Sequence, residues 1–405
     1  MIKVLMINQP LLNRGDESAH RALIRTLLKK APNVRVTVLW VGAKDSDIKE
    51  FVVDDPRVSY MNVDSFKAFN KFGVLGFEHH MQCLWYLHPT LRKIISIYNK
   101  HDLVLNAPGG ICLGGFQNWN HLLMLEVAKY LNKPIAYYGR SIGPFPEDTS
   151  KQRKFRKYAL QMLGYMSFKA FRDKKSEDLA NYFNLDYVST VDSAFLESPK
   201  VMIPQEITSR IGDAKYMVFV PNLLIWHFLF KGKLNKDDIL SFYSQMIDII
   251  FKHNSQIKIV MLPQTYGYGI KNDVNFFREL ERIKNDDRII VLDDCYGSDI
   301  QQTLIGSSEY VIGARYHSIV FAINQGVPFV ALSYEHKMYG LLQSLGKEDC
   351  LIDLSKNLLA NDSISLTLQK IDNLLNEIHS DTKTKEKAIS IAQSCLDKFI
   401  FTMCK

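Results

Sequence analysis

Arg315, His317 and Ser318 sit in the run Gly313-Ala314-Arg315-Tyr316-His317-Ser318, between two short apolar segments, Tyr310–Ile312 and Phe329–Leu332. That pattern predicts strand, turn, helix, strand. It sets a guanidinium, an imidazole and a hydroxyl at a helix N-terminus, where backbone N–H groups without intrahelical partners favour an anion. An arginine can hold a carboxylate or a phosphate through two parallel hydrogen bonds. A histidine can take up and release a proton near neutral pH. The chemistry implied is a site that holds an anionic substrate and protonates it.

Other loops carry candidates of the same kind. In Asn13-Arg14-Gly15-Asp16 the plain reading has Asp16 capping a helix and Gly15 permitting the turn. The functional reading makes Asp16 a base or a hydrogen-bond partner of a sugar hydroxyl. The glycine-rich turn Gly109–Gly115 has neither the GxGxxG order of a dinucleotide site nor a following GKS/T, which excludes a Walker loop. Close ligand approach at Gly109 and Gly110 and tight packing of a helix on a strand fit it equally well. Arg140 and Arg172 each end a predicted strand. A lone strand-end arginine usually pairs with a neighbouring carboxylate, whereas several that converge form a clamp, and Arg172 with Arg315 is the expected clamp. Lys337, in Tyr334-Glu335-His336-Lys337, is either a third positive charge for the anion or an exposed lysine at a helix start. Asp192 could cap, brace an arginine or line a hinge.

The elements that position these residues alternate. Apolar, β-branched runs at Lys3–Asn8, Val34–Trp40, Asp102–Asn106, Pro134–Tyr138, Tyr165–Phe171 and Tyr187–Val191 are separated by segments with helical spacing such as Glu17–Lys30 and Asn118–Leu131. The second half repeats the theme, with strands at Tyr216–Val220, Ile257–Leu262, Ile289–Leu292, Tyr310–Ile312 and Phe329–Leu332 and helices at Lys236–His253, Asn272–Lys284, Ser298–Gly306 and His317–Gln325. Such alternation predicts an α/β fold with parallel sheets covered on both faces. Pro199, Pro204 and neighbouring polar residues break the pattern. We therefore expect two doubly wound, Rossmann-like domains facing a cleft, 1–197 and 214–362, the glycosyltransferase-B-like architecture, with a helical segment 363–405 packing back across both. Ligands in such folds sit at the carboxyl ends of the strands.

With 405 residues, 47% hydrophobic and 23% charged, the chain is long enough for two or three cores and too apolar for disorder. A formal charge of +7, spread along the chain, suits an anionic substrate or an anionic membrane surface. No basic stripe interleaved with aromatics argues for nucleic acid. The six cysteines are widely spaced, which suggests neither zinc nor a redox pair, and we expect them reduced in the cytoplasm. The start, Met1-Ile2-Lys3-Val4-Leu5-Met6-Ile7, lacks the features of a signal peptide. No apolar run approaches the ~20 residues that span a bilayer. Two segments could instead touch a membrane shallowly, the apolar Leu223–Phe230 and the basic Lys151–Lys157. A buried element and a solvated helix face are their plainer readings.

Taken in order, these pieces resemble the polysaccharide pyruvyl transferase family: Asn13–Asp16, Asp102–Gly115, Tyr138-Gly139-Arg140-Ser141-Ile142-Gly143-Pro144, Phe171-Arg172-Asp173, Val191-Asp192, Gly313–Ser318, and Gly326-Val327-Pro328 through Tyr334 and Lys337. They cover most of residues 1–346, while the stretch from Phe51 to Lys100 and the tail after Asp353 match nothing in it. The resemblance implies transfer of pyruvate from phosphoenolpyruvate to two hydroxyls of a sugar, as a cyclic ketal. It assigns the donor to Arg172 and Arg315 and catalysis to His317; from the chemistry of the residues themselves we expect Ser318 and Lys337 beside the donor and Asp16 as base. The expected acceptor and cleft residues are Asn13, Gly15, Gly109, Gly110, Arg140, Asp192, Tyr334 and Glu335. The chemistry calls for no metal and no cofactor beyond phosphoenolpyruvate as co-substrate. The implied acceptor is a sugar on a polyprenyl-diphosphate carrier of capsule or exopolysaccharide synthesis, which expects a cytoplasmic protein at the inner face of the membrane. Two alternatives stand beside this reading. One is a nucleotide-sugar glycosyltransferase of the same fold, with Glu335 on the ribose. The other is a non-catalytic assembly protein.

Overall fold

The computed structural model describes residues 1–404 apart from 12, 50, 67, 68, 228, 267–271 and 360–362. Two compact units emerge. Unit 1 comprises Met1–Leu11, Ala19–Leu196 and Ser390–Lys405, and unit 2 comprises Leu12–Ser18 and Glu197–Ile389.

Among the described residues, unit 1 is built on a sheet of seven strands: β1 (Ile2–Ile7), β2 (Val34–Val41), β3 (Val58–Val63), β4 (Leu103–Asn106), β5 (Ile135–Arg140), β6 (Phe168–Phe171) and β7 (Val188–Ser189). Their order is β3-β2-β1-β4-β5-β6-β7, parallel throughout. Unit 2 has six: β8 (Tyr216–Val220), β9 (Lys258–Met261), β10 (Ile289–Val291), β11 (Val311–Gly313), β12 (Phe329–Ser333) and β13 (Leu351–Asp353), in the parallel order β10-β9-β8-β11-β12-β13. Every residue of β4, β5, β8 and β12 is buried, as continuous apolar strands must be when helices cover both faces. Strand order reverses between β1 and β4 and between β8 and β11. At those points the loops diverge and open a crevice for ligand. The runs that hold Asn8, Ala107 and Arg315 therefore all lie at switch points of their own sheets.

Sequence reading missed β3 and β13. The former, Val-Ser-Tyr-Met-Asn-Val, is a half-exposed edge strand, and the latter has three residues. It also began β6 too early. The helix Ser150–Tyr165, opened by a Thr149/Gln152 capping box, runs through Tyr165. The featureless stretch before Lys100 holds the helices Phe69–Glu78 and Pro89–Asn99. Trp85 between them is fully buried and donates its indole N–H to the Gly73 carbonyl at 3.1 Å. Of the apolar run Leu223–Phe230, Leu224 and Phe230 are fully buried and Phe228 lies outside the described residues. Lys151, Arg153, Lys154 and Lys157 are exposed. Among the described residues no helix is long and apolar enough to cross a membrane.

The tail forms two helices, Ser363–Glu377 and Thr382–Met403. Its end belongs to unit 1, where Phe399 is fully buried edge-on to Tyr138 (5.7 Å between centroids) and Phe168 (5.5 Å). Deleting that ring leaves a cavity which the sheet cannot close. Phe399→Ala should lower the stability of unit 1 by about 3–5 kcal/mol. Urea unfolding followed by far-UV circular dichroism checks this, and an unchanged first transition would show that the tail does not hold the sheet.

Candidate active site

In unit 2, β11 ends at Gly313 and the helix Tyr316–Gln325 opens at Arg315 with no side-chain cap. Arg315 is fixed by a carboxylate that sequence reading did not single out. Asp273, the first residue of the helix Asp273–Lys284, is 3% exposed and pairs with the Arg315 guanidinium through Oδ1. Its Oδ2 accepts from the backbone N–H groups of Gln264 (3.1 Å) and Thr265 (3.0 Å). Burial by itself would push the guanidinium towards its neutral form. Asp273 and a hydrogen bond with Tyr334 overcome that and hold its pKa above the ordinary arginine value. Asp273 thus keeps Arg315 protonated at the helix start, in a pair that is close to neutral overall, and Arg315 Nε has no hydrogen-bond partner among the described residues. In the sequence, Asn272-Asp273 looks like an ordinary helix opening, which it also is.

His317 follows two residues later, 6% exposed, edge-on to Tyr316 (5.0 Å) and 6.1 Å from the Phe321 ring. Its imidazole lies directly on Gly15, where a Cβ would fall on the ring atoms. This corrects the plain reading of Asn13–Asp16. The helix Arg14–Lys30 starts before Asp16, so Asp16 is not the cap. Asn13 is, its side-chain oxygen accepting from the N–H groups of Gly15 (2.8 Å) and Asp16 (3.4 Å). Gly15 is required for close approach, and not for a turn. Asp16 is half-exposed.

A buried network fastens this helix start within unit 2. Arg14 donates its backbone N–H to the Gln264 carbonyl (3.1 Å) and its guanidinium to Glu17 (2.5 Å) and Cys295. It lies over the Tyr266 ring at 5.2 Å. Glu17, fully buried, accepts from Ser298 N–H (3.0 Å) and Oγ (3.1 Å) and so caps the helix Ser298–Gly306. Glu17 also escaped the sequence reading, because one more acid in a charged first turn gives no signal of its own.

Ser318 is not where the donor assignment expected it. Fully buried, its hydroxyl donates back to the Arg315 carbonyl at 2.5 Å and fills the space that a Cβ on Gly313 would need. It shapes the turn. Lys337 is no isolated charge either, since it pairs with Glu335 at 2.9 Å, and His227 Nε2 approaches the same carboxylate at 3.3 Å. Tyr334 packs edge-on to His227 (5.3 Å) and Trp226 (6.2 Å). Burial would raise the Glu335 carboxyl, but Lys337 and His227 more than offset it and hold the group well below the usual carboxylate range.

The unit 1 candidates occupy two places. Arg172, 2% exposed, pairs with the fully buried Asp192, whose other oxygen accepts from Ala194 N–H at 3.0 Å. Of the readings open for Asp192, the arginine brace is the one seen. Arg140, expected towards an acceptor, is fully buried and spends its donors on its own unit: the carbonyls of Ala107 (2.5 Å), Gly110 (3.2 Å) and Asn8 (2.8 Å), and Cys112 Sγ (3.1 Å). With every nitrogen so engaged, it braces the loops after β1 and β4. At Gly109 a Cβ would lie 3.2 Å from Arg140 Nη2 and from Pro10, whereas the space beside Gly110 is open.

Two tests follow from this geometry. Gly15→Ala should displace the His317 ring and cost about 1–3 kcal/mol of stability, as overpacking does. The imidazole resonances of His317 in heteronuclear NMR should move, and unmoved resonances would mean that the contact is not made. Glu335, with its folded-state pKa depressed, stabilises fully above the unfolded value of about 4.3 and loses that contribution as pH falls towards the folded value. The stability gap between wild type and Glu335→Gln should therefore be largest near neutrality and shrink on acidification below about pH 4. Denaturation midpoints across that range measure it, and a gap that widens in acid would be inconsistent with the ion pair.

A family model described as polysaccharide pyruvyl transferase matches residues 13–336. The amylovoran biosynthesis protein AmsJ of Erwinia amylovora is 21% identical over 275 residues, which span 65% of this chain and 64% of that protein. Among solved structures, a UDP-GlcNAc 2-epimerase from Neisseria meningitidis bound to UDP-GlcNAc superposes over 100% of both chains with a TM-score of 0.58 at 11% identity. Anabaena HepE in complex with UDP and glucose gives 0.54 at 15% identity, covering 98% of this chain and 95% of its own. At such identities the two structures share the fold, two parallel-sheet Rossmann-like domains of the glycosyltransferase-B type, and nothing finer. The family match extends from the Asn13 cap through β11, Arg315 and His317 to the Glu335 loop, and this chain belongs to the polysaccharide pyruvyl transferase family.

Proposed function

We propose that the protein moves pyruvate from phosphoenolpyruvate onto two hydroxyls of one sugar, forming a cyclic ketal on a lipid-linked intermediate of surface polysaccharide synthesis. The observation that carries this reading is Arg315, kept cationic by Asp273 and Tyr334, two residues before His317 at a helix start without a side-chain cap. Phosphoenolpyruvate needs both groups. Its phosphate and carboxylate require positive charge and N–H donors, and its methylene carbon requires a proton.

In this mechanism Arg315 and the helix N-terminus bind the donor anion, and the His317 imidazolium gives its proton to C3, leaving C2 cationic. The first sugar hydroxyl bonds to C2 and passes its proton to Asp16. The C2–O bond to phosphate then breaks, and phosphate departs with that proton. The second hydroxyl closes the ring at C2, its proton restoring the imidazolium. The Lys337–Glu335 pair is close to neutral overall, so Lys337 steers the donor less than a lone lysine would. Arg172 keeps its donor assignment through the family pattern, and the acceptor is assigned to unit 1.

Thermal unfolding of wild type and Arg315→Ala with phosphoenolpyruvate, UDP-sugars and GDP-sugars tests the donor. A ligand that binds only the folded state at one hundred times its Kd adds about 2.7 kcal/mol. Stabilisation by phosphoenolpyruvate alone, lost in Arg315→Ala, is expected, and stabilisation by a nucleotide sugar alone would replace this reading with glycosyl transfer. His317→Gln should lower kcat by roughly 10²–10⁴ with phosphoenolpyruvate still bound. Near-normal turnover of that variant would rule out the proton-donor role.

A further inference from the structure

The outermost layer of unit 1 keeps apolar side chains in solvent. The helix Trp119–Tyr130, which follows β4, is buried at every position from His121 to Ala128. It is covered by the helix Phe69–Glu78, on which the short helix Gln82–Leu87 packs in turn. Gly73 and Gly76 let these layers close, since a Cβ on Gly73 would fall on Leu123 and one on Gly76 on the Trp85 ring. Leu75, between the two inward glycines, is turned out and 51% exposed, and Leu87 is 75% exposed. Met81 and Tyr86 are exposed beside them, and so is Tyr130, 6.5 Å from the Tyr86 ring. Exposed apolar side chains scattered singly are ordinary; gathered on one layer, they form a patch that marks an interaction surface.

The rim of this patch is basic. The helix Ser150–Tyr165 packs on Trp119–Tyr130 and is tied to the outer layer at two points. Lys154 pairs with Glu78 at 2.6 Å, and Tyr158 lies edge-on to Phe77 at 5.2 Å. This helix carries five basic residues and no acid. Glu78 takes up Lys154, and Glu147 takes up Arg156. Lys151 and Lys157 remain exposed, the Lys157 ammonium 6.0 Å from the centre of the Tyr158 ring. Lys71, one helical turn before Leu75 and hence on the same face, is exposed as well.

We infer that unit 1 docks on the surface of an anionic bilayer through this face. Leu75, Met81, Tyr86 and Leu87 enter the headgroup layer, and Lys71, Lys151 and Lys157 meet the acidic headgroups. Charge selects the occupant. A second copy seated on the same patch by a two-fold axis would set the basic helix against its own image, and like charges across an interface oppose docking. Single-stranded nucleic acid would need aromatic rings in a groove for its bases to stack on, whereas the most exposed side chains here are leucines. Leucine and methionine suit acyl chains, and the rings of Tyr86 and Tyr130 suit the headgroup level. Lysine stems can lie along apolar surface while their ammonium groups reach the lipid phosphates. Attachment of this kind is shallow and adds apolar burial to electrostatic attraction. That the bilayer carries the pyruvyl acceptor rests on the proposed function; the docking itself does not.

Flotation of the full chain with vesicles tests this, using phosphatidylcholine alone and phosphatidylcholine mixed with phosphatidylglycerol, each at low and high salt. Binding to the anionic vesicles alone is expected, and high salt should abolish it by screening the surface charge. Each basic residue near an anionic surface strengthens binding about fivefold. Lys71→Gln, Lys151→Gln and Lys157→Gln combined should therefore weaken it roughly a hundredfold, and Leu75→Ser with Leu87→Ser about tenfold. All these side chains are exposed, so circular dichroism should show both variants folded. Equal binding to the two kinds of vesicle, no binding, or wild-type binding by both variants would overturn the inference. So would self-association in sedimentation equilibrium that Leu75→Ser with Leu87→Ser abolishes while vesicles stay unbound. In turnover the variants should lose rate on an acceptor embedded in anionic vesicles and keep it on a soluble acceptor glycoside. Vesicle binding with no phosphoenolpyruvate-dependent turnover of either acceptor would sink pyruvyl transfer and leave the docking surface standing; turnover without vesicle binding would do the opposite.

Discussion

The Asp273 carboxylate is the constraint on which the unit 2 site depends. The Arg315 guanidinium is largely covered, and a counter-charge in fixed geometry offsets the cost of taking it out of water. Asp273 supplies the charge and is itself immobilised by the N–H groups of Gln264 and Thr265. The loop after β9 therefore sets the position of a cation at the end of β11. Asn13, bridged to Thr265, and Arg14, bonded to Gln264, hang on the same loop. One short segment thus aligns Arg315 and the helix start against which the histidine rests.

Two glycines make room for the run that holds Arg315 and His317. Gly15 yields its side-chain volume to the His317 imidazole, and Gly313 yields its own to the Ser318 hydroxyl. Neither glycine adopts a positive φ, so both are explained by space and not by backbone freedom. The imidazole is seated on backbone, with aromatic rings beside it, and that packing fixes its orientation. Ser318 serves that arrangement by fixing the Arg315 carbonyl, a supporting role that its place in the motif conceals.

The shared fold does not carry the function. A UDP-GlcNAc epimerase and a protein holding UDP and glucose have the same two-domain architecture at 11% and 15% identity, as expected where chemistry resides in loops placed on a common scaffold. In this chain Glu335, the residue a nucleotide-sugar enzyme could turn to a ribose, is already held by Lys337 and His227. A cavity beside β1 is equally a matter of loops: a positive-φ asparagine, a tryptophan near a strand end and an asparagine at a helix start.

The sequence by itself determined the sheets, because strands buried on both faces must be continuous apolar runs and the helices between them must keep their period. It also pointed to Arg315 and His317, since a rare pair of side chains at a strand-to-helix turn has few structural uses. Short or half-exposed elements such as β3 and β13 were beyond it, because edge strands need little hydrophobicity to pair. Partnership was decided only by tertiary structure. Nothing in the order of residues says that Asp273 lies against Arg315, that Gly15 underlies His317, that Arg140 is spent on loop carbonyls, or that Asn8, Trp40 and Asn120 line one cavity. Those residues are tens to hundreds of positions apart, and packing brings them together at the carboxyl ends of parallel strands, where each chain segment turns and exposes a few side chains to its neighbours.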